Sequence, residues 1–553
     1  MKKYNTFKVV LITILVLLVL SWILPAAYYS GQFVDQGRTQ MGLYELFNYP
    51  LTSLSYFGYI AIFIIFVGGF YGVLYKIPAY RTFLDKIVKL FKGKEKLFLS
   101  IVVVLIALGV SVCGLQLVYF LFIPLLVSLI LLMGFDKIVV AMVIIGSMAA
   151  GLIGTTYSYT NSNMLLSVLS LDFNYQIWVR FIILLLSVIL VIINTFMYIK
   201  KSNGAVETKK EDIKKNDSVK SEIIISDEVR PAPKKKANNV SKKTTNNNKK
   251  TSTKKSSSSK STKNGSSKSK KTTKNPNKAA LKKEDIIVVK ESVTKENNDN
   301  YLIPTRVEAT HKVWPLVTGF IILFILVVLA FMSWGEGGFN ISLFTNITSS
   351  VSKFELFGFP IFAKIYGTMN AFGTWTVIDL LFPMGLLLLI LVLIYGIKFD
   401  DVLEGFKEGA IKALYPAFIA LLVYSVLVLV TYHPYQLVIY KAVLSLSKGF
   451  NIATATFVAI LASFFNGDLA YVYQSSLPYF TSVVTNAKNY ATVGIIFQSM
   501  YGFTMLFAPT SMILMCVLSY IDVSYKDWLK NIWKLLLELF IVLLIVFIIL
   551  ALI

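Results

Sequence analysis

Thr510–Lys530 reads TSMILMCVLSYIDVSYKDWLK, and Thr160–Arg180 reads TNSNMLLSVLSLDFNYQIWVR. With an offset of 350, Thr160 aligns with Thr510, Asp172 with Asp522, Tyr175 with Tyr525, Trp178 with Trp528 and Arg180 with Lys530. Each copy opens on polar residues, runs through apolar text and ends on an Asp-Tyr-Trp group. The likeness extends upstream with small shifts. Pro124 falls opposite Pro478, and Pro78 and Gly93 fall opposite Pro434 and Gly449. Both halves therefore repeat one order: span, surface helix, hairpin, interrupted span, final span.

The composition places this text in a membrane. The chain is 56% hydrophobic, its mean hydropathy is +0.67, and several stretches exceed the ~18 apolar residues that cross a bilayer. Spans are expected at 7–25, 55–75, 137–172 (interrupted), 176–199, 313–334, 376–396, 414–432, 489–522 (interrupted) and 531–553. The first is read as an uncleaved span, because its apolar run is long for a signal peptide.

Residues 97–133 and 451–485 each hold two short apolar arms around a tip, VSVCGLQ (Val110–Gln116) and FFNGDLA (Phe464–Ala470). Arms of ~16 residues fall short of a ~30 Å core at 1.5 Å per residue. They are read as re-entrant hairpins, with two ordinary spans each as the alternative. The expected fold is an all-α polytopic membrane protein, an inverted-repeat transporter with about nine spans, two hairpins and two interrupted helices. Its parts are 1–54 (first span and outside loop), 55–200 (repeat 1), 201–312 (basic insert), 313–413 (linking spans) and 414–553 (repeat 2, inverted).

The net charge of +24 is uneven: eighteen lysines and no acid lie between Pro231 and Lys283. This Lys/Ser/Thr/Asn-rich insert cannot bury a core and is expected to be disordered. It is a solvated linker or a segment drawn to anionic lipid head groups. The basic balance points to no specific nucleic acid. Lysine and arginine bias places the N-terminus, the insert and the 75–96 segment in the cytoplasm, and the C-terminus outside, in a multi-pass protein of the cell membrane.

Neither the two cysteines nor the two histidines, His311 and His433, show metal-ligand spacing. No cluster of positioned acids, bases or metal ligands suggests an enzyme.

The stretches SWILPAAYYSGQF, IIFVGGFYGVLYKI, LFKGKEKLFLSIVVVLIALGVSVCG, MGFDKIVVAMVIIG, GFKEGAIKALYPAFIA and FAPTSMILMCVLSYIDVSYKDWLKNIW together resemble the YfcC/DcuC-type carriers of the ion transporter superfamily. That resemblance covers nearly all of the chain except the insert. It implies an elevator-type, usually homodimeric secondary carrier of dicarboxylates, amino acids or other small organic ions, including basic amino acid exchange, coupled to Na⁺ or H⁺ or working by exchange. It places the substrate region at the tips, with Cys113, Gly114 and Gln116 at one and Asn466, Gly467 and Asp468 at the other. Thr160, Asn161, Ser162 and Asn163 line the first break, and Pro509, Thr510 and Ser511 the second. The alternative is a transport-deficient membrane scaffold acting through the insert.

Individual residues carry two readings. Asp468 is an ionisable group at membrane depth or a helix cap. Thr510 and Ser511, like Asn161 and Asn163, are oxygen donors for a cation such as Na⁺ or caps of the following half-helix. Tyr175, Trp178, Tyr525 and Trp528 are expected to be interface anchors, and Asp379 and Glu538 to sit near span ends. The Gly68–Gly72 stretch is read as small-residue helix packing.

Overall fold

The computed structural model describes residues 5–225, 302–305, 312–367 and 369–552. It divides into two units, Met1–Glu207 with Asn298–Ile553, and Thr208–Asn297. Residues 201–225 of the basic insert continue α8 as helix, which corrects the expectation of disorder there; most of the rest of the insert, and His311, lie outside the described residues. The protein is an all-α class polytopic membrane protein, with a single two-stranded β-hairpin among the described residues. Seven of its described helices are long and apolar enough to cross a bilayer.

The chain starts with α1 (Asn5–Ile23) and a two-stranded antiparallel hairpin, Ala26–Tyr29 with Phe33–Gly37. Next come α2 (Leu43–Lys76) and the surface helix α3 (Pro78–Leu90). The first re-entrant element follows: α4 (Glu95–Cys113), a 3₁₀ turn (Val118–Leu121) and α5 (Ile123–Leu132). The first broken span is α6 (Lys137–Ile153) and α7 (Tyr159–Leu169), and α8 (Ile177–Ile225) completes this half.

Beyond the insert stand α9 (Trp314–Phe331), the short α10 (Leu343–Lys353) and α11 (Ile361–Tyr366), and α12 (Leu381–Tyr395). The second series is α13 (Phe399–Tyr432), α14 (Gln436–Leu444), the hairpin α15 (Ile452–Phe465) and α16 (Leu469–Val483), the broken span α17 (Tyr490–Thr504) and α18 (Met512–Tyr520), and α19 (Tyr525–Leu552).

The centre of the fold is the pair α2 and α13, each of 34 residues. They run antiparallel. At one end Lys76 pairs with Glu404 at 3.0 Å and Glu408 at 3.3 Å. At the other, the Tyr49 and Tyr432 rings stack 5.8 Å apart. Lipid tails supply no hydrophobic force between helices, so close packing of small residues holds such a pair. A Cβ on Gly72 would stand 2.0 Å from the Gly405 carbonyl oxygen, and one on Gly409 2.0 Å from that of Gly68. Only glycine fits this crossing.

α4 by itself is long enough to cross a bilayer; the hairpin reading rests on the turn and on α5. α4 has 19 residues, longer than the expected arm, but α5 has 10, about 15 Å, half a bilayer core. Gly114 closes α4 in the left-handed conformation at φ 70°, which glycine adopts without a Cβ clash. The chain then returns along α4, and the Tyr119 hydroxyl donates to the Leu105 carbonyl at 2.9 Å. α15 and α16, of 14 and 15 residues, are also too short to cross.

Three expectations are corrected. Tyr175 and Trp528 are buried and Tyr525 half-buried, so these three are internal clamps rather than interface anchors; Trp178, 78% exposed, remains on the surface. Glu538 stands at the middle of α19, because that helix begins at Tyr525, and it accepts a hydrogen bond from Asn194 of α8 at 2.6 Å. The loop expected through residue 54 is mostly structured, by the two strands and by α2 from Leu43.

Candidate functional site

Each hairpin tip lies on the break of the span that follows it. At the first, the Ser111 hydroxyl donates to the Gly154 carbonyl at 2.7 Å, and its carbonyl accepts from the Thr156 N–H at 2.9 Å and the Ser158 N–H at 3.2 Å. Ser158 caps α7, accepting from the Asn161 N–H at 3.2 Å. Asn161 and Ser162 are buried. The Asn161 amide accepts from Gln116 Nε2 at 2.9 Å and donates to the Val110 carbonyl at 3.4 Å. This network leaves Gln116 Oε1 buried and unpaired. Thr160 and Asn163 are exposed on α7; Thr160 borders Gly114, and the Asn163 side chain accepts from the Met164 N–H at 2.6 Å.

At the second tip, Gly467 meets the break so closely that a Cβ would fall 2.1 Å from the Thr510 carbonyl oxygen. The Thr510 hydroxyl donates to the Phe464 carbonyl at 2.8 Å. Ser511 caps α18 by accepting from the Leu514 N–H at 3.3 Å, and Asp468 caps α16 by accepting from the Tyr471 N–H at 2.9 Å. Asn466 Oδ1 accepts from the Asp468 N–H at 2.8 Å. Its Nδ2 is buried with no partner, and the residue is 3% exposed. Buried polar atoms in native proteins are nearly always paired. One orphan amide atom at each tip therefore marks a place where another polar group fits.

The helix α17 joins the two half-sites. Gln498 Nε2 donates to the Thr155 carbonyl at the first break, at 3.0 Å. One turn on, the Tyr501 hydroxyl donates to the Gly467 carbonyl at the second tip, at 2.7 Å. Asp468 lies within electrostatic reach of Tyr501, Tyr424 and Tyr59. The larger cavities, of about 270 and 280 Å³, lie between α10 and α11 and between α9 and α12, and their apolar linings include no tip or break residue.

Sequence reasoning missed Ser111, Ser158, Tyr501 and, above all, Arg180. Paired by alignment with the exposed Lys530, Arg180 looked like a boundary residue, yet it is fully buried. Its Nε donates to the Thr155 carbonyl at 2.7 Å, Nη1 to the Phe173 carbonyl at 3.0 Å and that of Tyr175 at 3.4 Å, and Nη2 to the Thr156 carbonyl. The available signal was its rarity, one of five arginines among 54 basic residues. At the second break the carbonyls just past α17, those of Leu506 and Phe507, are held by the Trp528 indole N–H at 2.8 Å and the Tyr525 hydroxyl.

Each of the two interrupted spans is closed by a hairpin tip from its own half. Residues 4–232 match the family model of the C4-dicarboxylate anaerobic carriers, DcuC, which supports assigning the chain to a DcuC-like transporter family. The matched stretch contains α1 to α8 and both partners of the first break. No curated protein and no solved structure matches the chain.

Proposed function

We propose that this protein is a secondary carrier of a small organic anion, of the C4-dicarboxylate class, in the cell membrane. The observation that carries the reading is the pair of unpaired buried amide atoms, Gln116 Oε1 and Asn466 Nδ2, one at each tip. Each lies beside a half-helix whose N-terminus was cut free at mid-span, α7 and α18. Half-helix N-termini present N–H groups and a positive dipole end to an anionic group, while carbonyls of the unwound segments face cations. The Asn466 NH₂ suits a carboxylate oxygen. Gln116 Oε1 accepts from a protonated carboxyl or hydroxyl of the same molecule.

The halves act as inverted repeats, 55–200 and 414–553. The antiparallel pairing of α2 with α13 supports this, as does the arrangement of hairpins. With the 75–96 segment in the cytoplasm, hairpin 1 enters from inside and hairpin 2 from outside, the N-terminus lies inside and the C-terminus outside. Access comes from the hairpin and broken-span bundle moving against α2 and α13 in an elevator-like exchange. A homodimer, coupling to Na⁺ or H⁺, and lipid contact by the basic insert belong to the same reading. Transport of this kind involves no covalent chemistry. Tip–break docking preserved in both halves favours it over the transport-deficient scaffold.

The test is uptake of labelled succinate and fumarate into proteoliposomes holding the full chain, with Na⁺, proton or counter-substrate gradients, and basic amino acids as the comparison. Saturable dicarboxylate uptake that falls at least tenfold in Asn466→Ala is expected. Uptake of basic amino acids with none of dicarboxylates would overturn the substrate class, and no gradient-driven uptake of either would overturn the carrier reading.

A further inference from the structure

Helix C-terminal carbonyls at a break carry partial negative charge and attract a cation. At the first break that cation is already part of the chain. We propose that Arg180 is a tethered counter-cation that does for the first half-site what a bound Na⁺ would do, so that cation coupling is confined to the second break. The inference rests on the carrier reading for its functional meaning, though its geometry stands apart from it.

Four carbonyls surround the guanidinium. Those of Thr155 and Thr156 lie just past the end of α6, in the unwound break. Those of Phe173 and Tyr175 come from the turn before α8. The Tyr175 ring packs 4.6 Å from the guanidinium carbon, a cation–π arrangement. None of the ion pairs among the described residues includes Arg180. The ionisable groups within its electrostatic reach are the phenols of Tyr175, Tyr473 and Tyr157. A full positive charge with no carboxylate beside it is costly in a bundle interior unless dipoles or an anion balance it. Carbonyl dipoles do so here, as they would for a bound metal cation, and arginine cannot shed its proton to escape the cost.

The second copy makes the contrast. The carbonyls just past α17 meet the neutral indole of Trp528 and the neutral phenol of Tyr525, while Lys530 is exposed. The two halves share a backbone plan, but a guanidinium holds the carbonyls of the first break where neutral donors hold those of the second. At the first break, moreover, both polar ends of the Asn161 amide are engaged. Arg180 supplies a cation to the same break, at the carbonyls of Thr155 and Thr156, so the ion expected near Thr510 remains the candidate.

The experiment is thermal melting of the full chain in detergent, in choline, sodium or potassium chloride, and in choline chloride with low-millimolar guanidinium. Arg180→Ala should melt several degrees below wild type in choline, and guanidinium should recover most of that loss while leaving wild type unchanged. Arg180→Lys, which keeps the charge, should be insensitive to guanidinium. An Arg180→Ala protein that melts like wild type, or is lowered equally in every salt, would mean a merely structural side chain and would overturn the proposal. If the alanine variant does not fold, Arg180→Gln keeps two N–H donors and carries the same screen; a glutamine variant indistinguishable from wild type also overturns it. Melting requires no transport, so absent uptake would sink the carrier reading without touching this result, and the reverse holds equally.

Discussion

Gln498 of α17 donates to the carbonyl of Thr155 at 3.0 Å, a bond between residues 343 positions apart in the chain. With Tyr501 holding Gly467 one turn further on, a single helix of the second half fixes both candidate half-sites. Their relative position is therefore set by α17 and not by either hairpin alone.

Gly467→Ala tests whether that docking matters. The added methyl would fall 2.1 Å from the Thr510 carbonyl oxygen, a backbone atom that cannot swing aside. The tip must lift from the break. Uptake should fall at least tenfold, and melting should drop by an amount corresponding to about 1–3 kcal/mol, the usual cost of overpacking.

The amide atoms left unpaired at the tips separate binding from stability. Asn466→Ala removes both the free Nδ2 and the acceptor for the Asp468 N–H. Loss of a hydrogen bond to a charged group is worth ~1.5–3 kcal/mol, roughly ten- to hundredfold in affinity. The apparent KM for a dicarboxylate should rise by that factor. Asp468→Asn should keep the cap on Tyr471, since asparagine caps as well as aspartate, and its melting should match wild type. An unchanged KM in Asn466→Ala would remove the residue from the site.

At the α2–α13 crossing, Gly409→Leu should prevent accumulation of folded protein, because its Cβ meets the Gly68 carbonyl at 2.0 Å. Gly385→Ala on α12 is the control. Its added Cβ has its nearest neighbour at 3.9 Å, and alanine gains ~1 kcal/mol of helix propensity over glycine. That variant should be as stable as wild type or more so, measured by melting in detergent.

Glu538 accepts from Asn194 inside the membrane region. Glu538→Gln retains an acceptor at that point and should melt within about a degree of wild type. Glu538→Leu removes it, leaving Asn194 bonded to the Leu190 carbonyl alone. Interhelical hydrogen bonds in membranes average ~0.6 kcal/mol, so its melting should fall only slightly. If Glu538→Gln abolishes uptake while melting is unchanged, the carboxylate itself takes part in coupling.

The order of elements was legible in the sequence because membrane helices announce themselves by apolar length, and three of the four hairpin arms by being too short. The Gly68–Gly72 packing was legible because small residues in an apolar run have few other uses. The polar residues at the tips, Gln116, Asn466 and Asp468, stood out against apolar text for the same reason. What composition and spacing cannot convey is direction and partnership. Aligning Arg180 with Lys530, and Tyr175 with Tyr525, made the two breaks look alike. Burial and hydrogen bonding separate them, one closed by a guanidinium and the other by an indole and a phenol. Apolar periodicity by itself determined the helices, the two broken spans and the two tips. Only the tertiary structure decided which amide atoms are left without a partner and where the Arg180 charge is buried, because both depend on carbonyls brought together from segments distant in the chain.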